Sequence, residues 1–350
     1  MINVRLAEQS DRNAWDAYVH SHPNSSPYHF FAWGAAIEQA YNHKPCYFLA
    51  EQNQTLIGIL PAIQLRLPFI HNELVSLPFC DVGGFVCDGQ EVLNALLAHI
   101  LSFAKQTKTD TLKLRGGGGI EQLHAFGFTR EKHDKVRMLL DLPDSSESLR
   151  RGFKSKLRSQ IKKAEKNNLI FQWGNKEQLN EFYEIFSTNM HSLGSPVHAR
   201  NLFAAVLQQF GENAKMGLVY WQERPISAGL ILMKGNTVSI PWASTLREYN
   251  QLAPNMLLYW SFLQYAADNG YTMFDFGRSS KGEGTYKFKA QWGAEPHDLE
   301  WHTIAFNGKR SKIHSRKILP GRDLLSNAWQ KLPLKLANYL GPKLRKYISL

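Results

Sequence analysis

The chain has 350 residues, 43% of them hydrophobic and 20% charged, which is enough apolar content for two cores and favours two domains. A formal charge of +11 points to polyanionic partners: nucleic acid, nucleotide-linked precursors or an anionic membrane face. The three cysteines (Cys46, Cys80, Cys87) form no C-x-x-C pair, the N-terminus lacks a signal peptide's apolar run, and Val92 to Ala104 is too short to span a bilayer. A disulfide framework, a zinc site and a membrane span are thereby disfavoured, and the expectation is a cytoplasmic protein without a metal.

In chain order, Val4 to Ala7 reads as a first strand, and Asp11 as the cap of a short helix carrying Trp15 and Tyr18. After a polar turn at His22 to Pro27, the residues Phe30, Trp33, Ile37 and Tyr41 recur at helical spacing, as an ordinary core face does. A strand meander follows: Cys46 to Ala50, Thr55 to Leu65 and Leu74 to Leu77. The loop Ser76-Leu77-Pro78-Phe79-Cys80-Asp81-Val82-Gly83-Gly84 ends on paired glycines, which permit close backbone approach or positive φ. Asp81 there either caps the turn or meets a ligand amine. Val92 to Lys105 is an amphipathic helix, and Thr111 to Leu114 a strand leading into Gly116 to Gly119. That glycine run meets neither the phosphate-loop nor the dinucleotide pattern, so it reads as a flexible connection. Asp134 to Leu142 reads as the strand closing the first half, with a domain boundary at the turn Pro143 to Ser146. The expected division is 1–144, 145–306 and a basic tail, 307–350.

The second half opens on a helix whose apolar seam is Phe153, Leu157, Ile161 and Ala164, with Lys154, Arg158 and Lys162 stacked four apart on a neighbouring face. That face is either merely solvated or a contact for an anion. Leu179 to Met190 is a further helix, broken at Ser192 to Arg200, where His198 could orient a substrate, act as a base or simply pack. The two halves share a plan: two strands joined by a tight turn with a glycine in the second (Gly58, Gly229), a long helix, a short strand, then adjacent arginine and glycine. The tail mixes lysines with Leu324, Leu325, Leu336 and Leu340, and can lie on an anionic membrane or pack on the first domain.

One stretch carries the most chemistry. Tyr271 to Phe276 alternates aromatic and polar residues and runs into Gly277 and Arg278, which reads as a buried strand ending at a glycine. The continuation Tyr286-Lys287-Phe288-Lys289 would, as a strand, set both lysines on one face, suited either to water or to an anion.

Asp-Phe-Gly-Arg followed by Tyr-Lys-Phe-Lys and Trp-Gly-Ala resembles the signature of the Fem family of peptidoglycan-bridge aminoacyltransferases. More narrowly it resembles the short FemAB-related proteins found with exopolysaccharide and exosortase (PEP-CTERM) systems. The resemblance implies an α+β fold of tandem GNAT-like domains, each a mixed, largely antiparallel sheet flanked by helices. It implies amide formation on a cell-envelope or exopolysaccharide precursor, with Lys289 stabilising the transition state. Arg278 and Lys287 would assist with anionic groups, and Tyr286 would contact the substrate. Similar family segments imply Asp81 as a site residue, Arg158 and Lys162 as acceptor contacts, and His198 in a Leu-Gly-Ser-Pro-Val loop.

No bound cofactor is expected; the co-substrate would be aminoacyl-tRNA or acyl-CoA. Leu252-Ala253-Pro254-Asn255 stands where acetyl-CoA enzymes carry a glycine turn for pyrophosphate, which argues for another donor. An acyl-CoA-dependent N-acyltransferase, or a non-catalytic protein binding RNA or anionic lipid, remain the other readings. On the first reading, Lys289→Met lowers turnover while leaving thermal stability nearly unchanged.

Overall fold

The computed structural model describes residues 1–67, 71–116, 118, 120–306 and 322–350, which divide into two compact units. The first holds Met1–His133, a segment starting at Leu299 and the last residues, Lys346–Leu350. The second holds Asp134–Asp298 and the C-terminal helices as far as Arg345. Ile318 and Leu319 of the expected tail lie outside the described residues.

In the first unit, β1 (Asn3–Leu6) is followed by α1 (Arg12–Ser21) and α2 (Phe31–Tyr41). Asp11 stands at the N-cap of α1 without capping it, because its carboxylate takes the Glu8 N–H and the Arg5 guanidinium instead. The meander is β2 (Phe48–Gln52), β3 (Thr55–Leu60), β4 (Ile63–Leu67) and β5 (His71–Val75), so the expected long strand is broken after Leu60. Then come β6 (Val86–Cys87), α3 (Gln90–Gln106), β7 (Thr111–Arg115), α4 (Ile120–Ala125) and β8 (Thr129–Arg130). One sheet has the order β1-β2-β3-β6. The other runs β4-β5-β7, then the returning strand Trp301–Ala305, then β8. Among the described residues of this unit, only β5 and β7 pair in parallel.

Arg115, 3% exposed, ties this unit together. Its guanidinium donates to the carbonyls of Leu77, Cys80 and Ser349 and to the Ser349 hydroxyl. The paired glycines serve the chain itself: a Cβ on Gly83 would lie 2.7 Å from Leu77 Cβ, and one on Gly84 would lie 2.1 Å from the Gly116 carbonyl oxygen. The last residues fold onto this unit, with the His43 imidazole at the Lys346 carbonyl.

The second unit is built on β9 (Lys135–Asp141), α5 (Ser146–Gly152), α6 (Ser155–Lys166), β10 (Ile170–Gly174), α7 (Leu179–Ser192) and α8 (Arg200–Phe210). These are followed by β11 (Ala214–Trp221), β12 (Arg224–Lys234), β13 (Thr237–Thr245), α9 (Pro254–Asp268), β14 (Met273–Ser280), α10 (Gly284–Ala290), β15 (Glu295–Asp298), α11 (Arg322–Gln330) and α12 (Leu334–Arg345). One sheet takes the order β10-β11-β12-β13-β14-β9-β15, antiparallel except where β13 meets β14. β9, read from sequence as closing the first half, pairs with β14 and β15 of the second. Its pattern of alternate burial identifies a strand with one covered face, but not the sheet that receives it.

The two units repeat one packing device. A Cβ on Gly58 of β3 would lie 2.6 Å from Val92 of α3, and one on Gly229 of β12 would lie 2.7 Å from the Phe262 ring of α9. In each, the missing side chain lets the long helix sit directly on the meander.

Candidate active site

Among the described residues of the second unit one strand pair is parallel, and it parts early. β13 and β14 are bonded at Thr237–Met273, Val238–Phe274 and Ser239–Asp275, and no further. Beyond Asp275, β14 bulges against β9, and Gly277 takes φ +70, a conformation that costs glycine little. Asp275 holds that bulge. Only 2% exposed, its carboxylate accepts the Gly277 N–H at 2.8 Å, the Arg137 guanidinium at 2.8 and 2.9 Å, and the Ser239 hydroxyl at 3.3 Å. The strand therefore does not stop at the glycine as expected from sequence; it kinks there and continues to Ser280.

The Tyr-Lys-Phe-Lys segment is a helix, α10, rather than a strand. The two lysines consequently separate. Lys289 turns inward, 8% exposed, and its ammonium donates to the carbonyls of Arg278 at 2.7 Å and Gly277 at 3.2 Å. Lys287 is exposed and lines a cleft of about 440 Å³. Phe288 and Tyr286 pack on the unit's core, beside Tyr259, whose phenol burial pushes upward in pKa. A helix follows because Gly282, at φ +83, reverses the chain and Glu283 takes an extended N-cap conformation.

The rest of the cleft comes from residues that the motif did not indicate. α6 contributes Gln160 and Lys163; the start of α9 contributes Ala253, Asn255 and Met256; Gln291 follows α10. Gln160 has its buried Oε1 without a partner within the protein. On α6 the buried seam of Leu157, Ile161 and Ala164 separates two polar faces, and it is the Gln160–Lys163 face that borders the cleft. Arg158, on the other face, donates to the carbonyls of Arg151 and Phe153 and so joins α6 to α5; Lys162 beside it is exposed. Sequence periodicity gives both faces equal standing, and only the position of α9 decides between them.

His198 is 4% exposed and set edge-on to Phe203 and Trp242, so it does not line the cleft. Burial, with some help from the Arg345 charge, holds its imidazole well below the usual pKa. Arg278 is half-buried on β14. Asp81 belongs to the first unit, where its carbonyl accepts the Trp301 indole N–H at 3.0 Å.

The cleft thus lies between α6, the start of α9 and α10, with a helix N-terminus and two lysines at its edge. Such a place favours phosphate or carboxylate. The backbone is poorly equipped to hold a pyrophosphate. Pro254 has no N–H, and the Met256 N–H is bonded to the Ala253 carbonyl at 3.0 Å.

Residues 151–290 match the family model "Acetyltransferase (GNAT) domain". The chain is thus similar to the GNAT acyltransferase domain over these residues. It is also homologous to the lipid II:glycine glycyltransferases: that of Staphylococcus epidermidis is 20% identical over 370 residues, covering 79% of this chain and 87% of the relative. Among solved structures, FemX superposes with a TM-score of 0.71 at 16% identity, over 87% of this chain and 98% of its own. A tandem GNAT protein from the clavulanic acid biosynthesis pathway gives a TM-score of 0.55 at 13% identity, over 87% and 98%. The fold is therefore the expected mixed α/β arrangement with GNAT neighbours, and the enzyme class is acyltransferase. The matched residues include α6, the start of α9 and α10, which line the cleft, and the parting strands β13 and β14.

Proposed function

We propose that the protein transfers an aminoacyl group from aminoacyl-tRNA to an amine of a peptidoglycan or related envelope precursor, forming an amide. The observation that carries this is the cleft's edge. The GNAT position where a glycine turn would present N–H groups to acyl-CoA instead has Ala253 and Pro254, and lysine side chains flank it. Lysines bind a phosphodiester end as point charges without needing a fixed backbone cradle.

On this reading Lys163 and Lys287 hold the phosphates at the acceptor end of the tRNA, while the ester carbonyl lies toward the parted strands. The precursor amine attacks that carbonyl, the tetrahedral oxyanion forms, and the ribose oxygen leaves with a proton. Lys289 supplies a fixed positive charge at the β14 bulge, where burial makes it count more than it would in water. Arg278 on β14 and Tyr286 on α10 complete the substrate contacts. Asp81, Arg158, Lys162 and His198 have in common the sequence resemblance alone; Arg158 and His198 already serve packing. Lipid II is the acceptor to try first, because the homologous glycyltransferases are named for it.

The test is calorimetric titration with aminoacyl-tRNA, uncharged tRNA, acetyl-CoA and longer acyl-CoAs. Charged tRNA binding in preference to every CoA ester supports the proposal. Saturable binding of an acyl-CoA, with none of charged tRNA, would assign the cleft to ordinary acyl transfer.

A further inference from the structure

The C-terminal helices of the second unit have an outer face that the acyl-transfer reading does not use. α11 and α12 clamp the end of α7: Gln330 donates to the Ser192 carbonyl at 2.9 Å, His191 meets the Leu332 carbonyl at 2.9 Å, and Asn338 donates to the Ser187 hydroxyl at 3.2 Å. Ala337 and Gly341 of α12 are buried, Gly341 against Val197. The opposite side is apolar in an unusual degree for an exposed helix. Leu324 and Leu325 of α11 are 74% and 75% exposed, and Leu336 and Tyr339 of α12 are 42% and 62% exposed.

Asp323 at the start of α11 is the one acidic residue of the two helices, and every side-chain charge after it is positive. Lys331, Lys335 and Lys343 are exposed beside them, and no Asp or Glu occurs from Leu324 to Leu350. On α12, Lys335, Leu336, Tyr339 and Lys343 fall on one stripe at helical spacing, opposite Ala337 and Gly341, and the Lys343 ammonium lies 3.6 Å from the Tyr339 ring centre. Neither helix is long and apolar enough to cross a membrane. A helix pair with apolar side chains on its outer face and a clear excess of lysines over carboxylates matches the interfacial zone of an anionic bilayer. There the hydrocarbon groups enter the acyl boundary and the ammonium groups meet lipid phosphates.

We propose that α11 and α12 form a docking face for an anionic lipid surface, with Leu324, Leu325, Leu336 and Tyr339 inserting and Lys331, Lys335 and Lys343 contacting headgroups. The inference rests on this surface and stands whether or not the donor is aminoacyl-tRNA. The test is flotation of the full chain with phosphatidylcholine vesicles and with mixed phosphatidylcholine–phosphatidylglycerol vesicles, at low and high salt. Binding is expected to the mixed vesicles, to weaken with salt, and to be lost on phosphatidylcholine alone.

Each lysine near the surface should be worth about five-fold in partition, so Lys335→Gln with Lys343→Gln should weaken binding by about 25-fold. Leu324→Ser with Leu325→Ser should weaken it by at least about ten-fold. All four side chains are exposed, so unchanged thermal midpoints are expected to show that the variants fold. Equal binding to neutral vesicles, no binding to anionic ones, or full binding by folded variants would each overturn the proposal. So would variants that lose self-association or tRNA binding while keeping vesicle binding.

Discussion

Replacing Lys289 with methionine separates the two things this side chain does. Methionine fills nearly the same space but leaves the carbonyls of Gly277 and Arg278, now 3.2 and 2.7 Å from the ammonium, without that donor. An unsatisfied buried acceptor costs about 1–3 kcal/mol, partly offset because an ammonium no longer has to be buried. A net loss of about 1–3 kcal/mol is expected, lowering the midpoint by about 2–4 °C for each kcal/mol. Stability therefore should not stay unchanged, as residue type alone suggests. The catalytic effect is of another size. Removing a fixed donor at a developing oxyanion typically costs about 10²–10³ in turnover. A domain stable by about 5–15 kcal/mol remains folded after the smaller loss, so unfolding cannot imitate such a drop well below the midpoint. The assay is single-turnover transfer from charged tRNA to lipid II, with thermal unfolding of the same samples. Turnover within about three-fold of the parent, in a variant with the predicted loss of stability, would show that Lys289 only straps the β14 bulge; that magnitude follows from the absence of any transition-state contribution.

Lys163→Gln and Lys287→Gln should each weaken charged-tRNA binding and reduce the slope of log affinity against log salt by about 0.7, the value for one single-strand phosphate contact; Lys162→Gln should change neither. Because His198 is held neutral in the fold, the unfolded chain binds the extra proton below about pH 6.5, and stability falls as pH drops from there, by up to about 1.4 kcal/mol per pH unit. His198→Phe should flatten that slope below about pH 6.5 in denaturant titrations; an unaltered slope would mean the imidazole is not the group titrating. Gly229→Ala puts a methyl group 2.7 Å from the Phe262 ring and should destabilise by about 1–3 kcal/mol, measured as a lower urea midpoint; a neutral result would show that α9 can shift at no cost. Asp275→Asn keeps the shape but removes the charge paired with Arg137, and should cost about 3–5 kcal/mol of stability by the same measurement.

Much of the second unit was legible without coordinates. The seam of Phe153, Leu157, Ile161 and Ala164 is buried as its spacing requires, and α9 begins at Pro254, whose fixed φ suits a first turn. Periodicity reports which side of an element is covered, and that is a local property. The glycines of β3 and β12 also declared a repeated plan, because close packing of a helix on a strand leaves a gap in the side-chain pattern.

What the sequence could not decide was everything set by partners distant along the chain. The alternation in β9 fits any sheet with one covered face, and its actual neighbour, β14, lies far downstream. The Lys287–Lys289 pair is compatible with strand or helix over so few residues, and the turn at Gly282 tipped it to a helix that sends one lysine inward and leaves the other at the cleft. Asp275 looked like one polar residue in an alternating run until Arg137, Ser239 and the Gly277 amide converged on it. Lys163 and Gln160 were hidden for the same reason: α6 has two polar faces flanking one apolar seam, and only the tertiary placement of α9 and α10 selects the face that can meet a substrate.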